Sequence, residues 1–454
     1  MFIGTEKPIA NLVKYKFYDT LISEDFITLT TSAVLKNFPF LPNPVIFKSN
    51  WRKQDIRLFH LHLLISNYLS NNNRGLYYDL RSFLIGPYKI KSFNLLFQSL
   101  KYIRKSISEI KFFYIFKKYR STPTEILMGL RERGHISNGD VINFKNILRQ
   151  HNISRVITIS SLRDPKLFDL SIACKELNLE CHLFVECWDN ISTGLGVPTG
   201  ISKIYLWSEQ QRLDFYKFNP VSSVGAEIFG SYRISHAQNS RADNSVKNNK
   251  NFSNVFRILY LEGYFYENLN FSITQIIRVI KAIQATNNLF LKVEIVVRKY
   301  PLKRQSIQKE LERNYHNFNL HSEPETVRVT TSDNNSLDFD LNEADLVISE
   351  LTTAGLEAAF RKIPVIFIGS NASIRFLDSM AGYNYSFAES IPIAFNLINL
   401  SKKTDLDLLE KLIYSLIYLN DETHNFESKL LLNESNLELF GKPFDLNIWY
   451  KLID

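Results

Sequence analysis

The feature that most constrains the fold is an alternation of short, mainly apolar runs with longer amphipathic ones, which stops once and then restarts. Val156 to Ser160, Cys181 to Glu186, Lys203 to Trp207 and Val224 to Phe229 have strand length and no polar-out alternation. Pro165 to Leu177 and Ser208 to Lys217, lying between them, have helical spacing. Strands apolar on both faces belong in a sheet covered on both faces, which parallel βαβ units provide. The pattern lapses from Ser235 to Asn254, a run of Asn, Ser, Lys and Arg that reads as a linker. It resumes with strands at Phe256 to Leu261, Val293 to Val297, Thr326 to Thr330, Asp345 to Ile348 and Val365 to Ile368. Helices fit at Ile273 to Gln284 and Leu351 to Arg361. The expectation is an α/β chain with two Rossmann-like parallel-sheet domains facing each other across a cleft. The first spans 1–240, a linker 241–254, the second domain 255–400, and C-terminal helices 401–454.

No apolar run reaches the roughly 20 residues that a membrane-spanning helix needs. Met1 to Val13 has no basic cluster followed by an apolar run, so no signal peptide is expected and the chain reads as cytoplasmic. Cys174, Cys181 and Cys187 match no zinc spacing and read as reduced thiols. The formal charge of +8 fits nucleic acid, an anionic membrane or phosphate-bearing substrates. No nucleic-acid-binding signature accompanies it. Lys91 to Arg120 concentrates the charge, with Lys117, Lys118 and Arg120 beside Phe112, Phe113 and Phe116. That composition suits peripheral attachment to an anionic inner membrane face, and equally a helix packed on the first sheet with a solvated basic side.

Three segments carry chemistry. In Glu343 to Gly369 a strand runs into Ser349, and after a short turn a helix opens near Thr352 and Thr353. Ala354 and Gly355 are small enough to let a ligand approach. Ligands of parallel sheets bind beyond the carboxyl ends of the strands, and a helix N-terminus with its free N–H groups suits a phosphate. Glu357 lies about 6 Å further along the axis, where a carboxylate accepts ribose hydroxyls. The plainer alternative makes the threonines helix caps and Glu357 a solvated residue. In the second segment Glu186, Trp188, Asp189 and Asn190 follow a strand, and a later strand runs into Gly230, Ser231 and Arg233. Ser208 and Glu209 fit an N-cap and first-turn acid. In the third, Arg298 directly follows a strand, where its guanidinium is suited to grip a diphosphate. Asp338 and Asp340 form an Asp-x-Asp pair in what reads as a polar loop, and no metal role is expected of it.

Together these segments resemble the GT-B glycosyltransferases of bacterial surface-polysaccharide biosynthesis and the related epimerase fold, over about residues 140 to 370. Ser349, Thr352, Thr353, Glu357 and Pro364 match the donor-site strand, turn and helix, with Lys362 and Ile363 replacing a small residue. Gly230, Ser231 and Arg233 match the turn that ends the N-terminal domain. Arg298 matches an Arg-x-His-Pro turn in which Tyr300 here replaces His. The resemblance implies transfer of a sugar from a nucleotide-activated donor to a glycan or lipid-linked acceptor, without metal or other cofactor. Those residues would hold the donor, and Asp189 and Glu186 would by position supply the base. A nucleotide-sugar epimerase, a glycerol-phosphate-type transferase or a non-catalytic scaffold are the alternatives.

Overall fold

Two all-parallel sheets organise the chain in a computed structural model. It describes residues 2–4, 26–52, most of 123–187, 197–218, 222–242, 255–263, 269–287, 292–299, 327–332, 336–350, 352–370, 398–418 and 441–453, with isolated residues between. The first unit takes the described residues up to Tyr232 together with 441–453, and the second takes those from Arg233 to 370 and 398–418.

The first sheet contains β1 (Phe2–Gly4), β2 (Thr28–Thr30), β3 (Pro44–Ile46), β4 (Arg155–Ser160), β5 (Glu180–Val185), β6 (Lys203–Leu206) and β7 (Gly225–Ile228). Its order is β3-β2-β1-β4-β5-β6-β7, and every pairing is parallel. Its helices are α1 (Ser32–Asn37), α2 (Pro123–Glu132), α3 (Val141–Gln150), α4 (Pro165–Glu176) and α5 (Glu209–Phe218). One face of the sheet buries Val156, Leu183 and Ile204 against Phe144 and Leu148 of α3 and Leu170 of α4. The other buries Ile157, Ile159, Phe184 and Tyr205. Both faces of β4, β5 and β6 are covered, which explains why these strands show no polar alternation.

Helix α6 (Tyr232–Ala242) passes from the last residue of the first unit into the second, which continues with β8 (Val255–Leu261), α7 (Leu269–Asn287), β9 (Lys292–Arg298) and β10 (Val327–Thr331). Then come α8 (Leu337–Glu343), β11 (Leu346–Glu350), α9 (Thr353–Phe360), β12 (Val365–Gly369), β13 (Ile398–Asn399) and α10 (Lys403–Tyr418). The strand order is β10-β9-β8-β11-β12-β13, again parallel throughout. Ile276 and Ile280 of α7 and Leu409 and Ile413 of α10 pack on Ile258, Tyr260, Ile295 and Ile348. In each sheet the order reverses once, between β1 and β4 and between β8 and β11. Open α/β sheets bind their ligands beyond the carboxyl ends at such a switch point.

The end of the chain returns to the first unit as α11 (Leu446–Ile453). Lys442 N donates to Trp207 O at 3.0 Å, Ser231 N to Lys442 O at 2.9 Å and Asp445 N to Phe229 O at 2.9 Å. Trp449 is 1% exposed, stacked on Phe26 and edge-on to Phe184.

Two local expectations differ from the structure. The polar run from Ser235 is helical through Ala242, because α6 turns Tyr232, Ile234, Ser235 and Ala237 inward; 243–254 lie outside the described residues. Asp338 and Asp340 sit in helix α8 rather than in a loop. Ser336 caps it by accepting from Asp338 N at 3.2 Å, its acids occupy the first turn where the helix dipole favours them, and Leu337, Asp340 and Leu341 are buried. Lys91 to Arg120 falls outside the described residues. Among the described residues no helix is long and apolar enough to cross a membrane. Cys174 and Cys181 are buried free thiols and Cys187 is a half-buried one.

Candidate functional site

The carboxyl edge of the second sheet brings several of the expected residues level. Ser349 pairs in register with Leu261, and Leu261 with Arg298, so Ser349 and Arg298 stand about 10 Å apart, two strand spacings. Ser349 is fully buried; its Oγ donates to Glu350 O at 2.5 Å and lies 3.2 Å from Thr352 Oγ1. Thr352 is the N-cap of α9, with extended backbone and Oγ1 accepting from Gly355 N at 3.2 Å. This is the capping role the sequence left open for it. The half-buried Thr353 starts the helix. Helix geometry leaves the Thr353 and Ala354 N–H groups without intrahelical acceptors at the positive end of the dipole.

Gly355 serves packing rather than ligand approach. A Cβ there would lie 2.6 Å from Ser349 Oγ and 2.7 Å from the Phe367 ring, so only glycine seats α9 this closely on β11 and β12. One turn beyond Thr353, Glu357 is 4% exposed, not solvated, and its Oε1 lies 3.7 Å from Arg233 Nε. Two residues expected to hold the donor are thus brought together as an ion pair.

Arg298 is anchored. It donates to Asp340 and, at 3.2 Å, to Ser336 O, while Ser332 Oγ also donates to Asp340 at 2.7 Å. Its side chain stays 22% exposed, so this is a preset cation and not a loose surface arginine. Asp338 pairs with Arg361 and, at 3.2 Å, with His236. Both acids of the Asp-x-Asp pair are therefore matched to cations, and no group of three metal-ligating side chains occurs among the described residues.

Glu350 was not foreseen. It ends β11 at the switch point, 4% exposed, accepting from Tyr260 OH at 2.8 Å and Gly263 N at 3.1 Å. Burial and the neighbouring Glu350 charge push the Tyr260 phenol well up from its ordinary value. A side chain at Gly263 would collide with the Glu350 carboxylate. An acid closing an otherwise apolar buried strand was the signal in the sequence.

In the first unit, Glu186 follows β5 at 3% exposure and donates its N–H to Ser160 O at 3.2 Å. Asp189 lies outside the described residues. Gly230 and Ser231 are engaged by the C-terminal segment. Gly230 has φ 89°, and any Cβ would collide with Pro443 O. Ser208 Oγ accepts from Gln211 N at 3.1 Å as the cap of α5, and Glu209 pairs with Arg212 at 2.6 Å, the structural roles open to them.

No protein-family model matches the sequence, and no curated protein does. Among solved structures, the UDP-GlcNAc 2-epimerase of Methanocaldococcus jannaschii superposes with a TM-score of 0.51 at 12% identity, over 100% of this chain and 98% of that one. The fold is of the GT-B type. MurG of Acinetobacter baumannii (TM-score 0.44, 10% identity, 100% and 98% covered) and the UDP-GlcNAc 2-epimerase of Neisseria meningitidis (0.48, 12%, 100% and 98%) are also similar. At such identities the likeness of this GT-B chain to them is one of architecture, and activity has to be argued from its own residues.

Proposed function

We propose that the chain is a glycosyltransferase that moves a sugar from a nucleotide-activated donor to a glycan or lipid-linked acceptor, in surface-polysaccharide biosynthesis and without a metal ion. The observation that carries this is the start of α9. A helix N-terminus stands beyond the carboxyl end of the central strand β11, at the switch point, with Thr353 half-buried at its opening and Glu357 buried one turn in. The free N–H groups suit the donor phosphates and Glu357 suits ribose hydroxyls. Arg298, oriented by Asp340 and Ser336, supplies fixed positive charge for the leaving phosphate without reorganising during reaction. Arg233 holds Glu357 in place. Glu186, or Asp189 three residues further along the sequence, takes the acceptor hydroxyl proton as the oxygen bonds to the anomeric carbon; the anomeric C–O bond to phosphate breaks and its electron pair leaves with the nucleotide. On this proposal the enzyme works in the cytoplasm, with Lys91 to Arg120 as the segment that would meet an anionic membrane surface.

The test is a thermal-shift panel of UDP, GDP, CMP, CDP and dTDP sugars followed by product analysis of the strongest binder. At a hundred times its Kd a ligand of the native state adds about 2.7 kcal/mol, a readily measured shift. Free nucleotide with a new glycoside is expected. An isomerised donor instead indicates an epimerase, a transferred glycerol phosphate a different transferase, and binding without turnover a scaffold. Turnover should survive EDTA, because Asp338 and Asp340 are matched to arginines. Loss with EDTA and rescue by Mn²⁺ would contradict that assignment.

A further inference from the structure

The chain leaving β5 is held on both sides of Glu186. Trp207 Nε1 donates to Val185 O at 2.8 Å, and Gln211 Nε2 donates to Cys187 O at 3.3 Å. With the Glu186 N–H on Ser160 O, the carbonyl before Glu186, its own amide and the carbonyl after it are all fixed. The donors are fixed in turn. Gln211 is fully buried, and its Oε1 accepts from Trp207 N at 2.7 Å. One end of the amide must accept and the other must donate, so its orientation is determined. Trp207 is 4% exposed. The helix itself does not require this amide, since Ser208 already caps α5. A buried glutamine with both ends engaged is a polar group placed where a leucine would pack without desolvation cost. What it adds is a defined backbone at Val185 to Cys187.

We propose that Gln211, together with Trp207, is a positioning residue that sets the backbone from which Glu186 presents its carboxylate. This rests on Glu186 being the base proposed above. Displacing a reacting group by about 1 Å costs on the order of 10²-fold in rate, so loosening this clamp should act on turnover far more than on donor binding.

Two variants separate positioning from simple damage. Gln211→Glu keeps the size and the acceptor for Trp207 N but places a carboxylate oxygen against Cys187 O. Trp207→Phe removes the indole N–H and keeps a ring, and it serves should Gln211→Glu fail to fold. Hydrogen exchange at the Glu186 and Cys187 amides, which needs no substrate, should accelerate at least about tenfold in either variant. Nucleotide release should be followed with whichever sugar of the panel gives the largest thermal shift. Its kcat should fall roughly 10- to 100-fold, with donor KM changed less than about threefold. In a Glu186→Ala background the same substitutions should add less than about a further twofold, because the group they position is gone. Unchanged exchange in both variants, or losses that multiply with that of Glu186→Ala, would overturn the positioning role while leaving the base assignment intact. Wild-type turnover in Glu186→Ala would overturn the base assignment and the positioning role with it.

Discussion

Replacing Glu186 by Ala should lower turnover about 10²- to 10⁴-fold, the usual worth of a positioned general base, and change donor KM little. The prediction follows from placement. Glu186 stands at the carboxyl end of β5, next to β4 at the switch point of the first sheet, and its backbone is tied to Ser160 at 3.2 Å. A group that meets the acceptor proton only during reaction contributes to the transition state, not to ground-state binding of the donor. Parallel assays of Glu186→Ala and Asp189→Ala check it. If Asp189→Ala abolishes nucleotide release and Glu186→Ala leaves it at the wild-type rate, the base is Asp189.

The second large effect is on stability. Asp169→Ala should cost about 3–5 kcal/mol in urea unfolding, as breaking a buried ion pair from one side does. Asp169 is fully buried in α4 and accepts three donors: Arg131 Nη2 at 2.5 Å, Trp51 Nε1 at 2.7 Å and Asp140 N at 2.8 Å. Asp140 in turn accepts from Ser49 Oγ at 2.6 Å and Asn50 N at 2.7 Å. This network ties the loop after β3 to α2, to the start of α3 and to α4. Alanine would remove the Asp169 carboxylate from the Arg131 guanidinium, which is only 6% exposed and lies over the Trp51 ring. Asp169→Asn should cost less, since an amide oxygen still accepts. A loss below about 1 kcal/mol for Asp169→Ala would mean that water or a rearranged side chain takes over the carboxylate's bonds.

Much of the architecture is legible because burial on both faces leaves an unambiguous trace. Runs such as Val156 to Ser160 and Leu346 to Ile348 are buried along their whole length and end as the strands at the switch points of the two sheets. Shorter or charged elements escape. Phe2–Gly4 is too short to show a period, yet it is the strand on which the first sheet divides. The first turn of α8 looks like a loop because its acids mask the buried Leu337 and Leu341. At the site, residue types announce themselves but their partners do not. Nothing near Arg298 in the chain reveals that Asp340, on another element, holds it, or that Arg233 meets Glu357. Gly355 and Gly230 are visible as glycines, but which contact demands them is a tertiary fact: the Phe367 ring for one and Pro443 at the far end of the chain for the other. Glu350 is the instructive omission, a charge at the end of an apolar run whose partner Tyr260 lies on the neighbouring strand.

On the proposed function, the first turns of α9 hold a nucleotide. Calorimetric titration of UDP, GDP, CMP, CDP and dTDP into the wild-type chain and into Glu357→Ala tests it most directly, with circular dichroism confirming that the variant is folded. At least one nucleotide should bind the wild type, and its affinity should weaken by about 1–3 kcal/mol, roughly 5- to 150-fold, when the charge-assisted ribose contact is lost. Binding of none of the five to the wild type, or equal affinity in a folded Glu357→Ala variant, would contradict the claim.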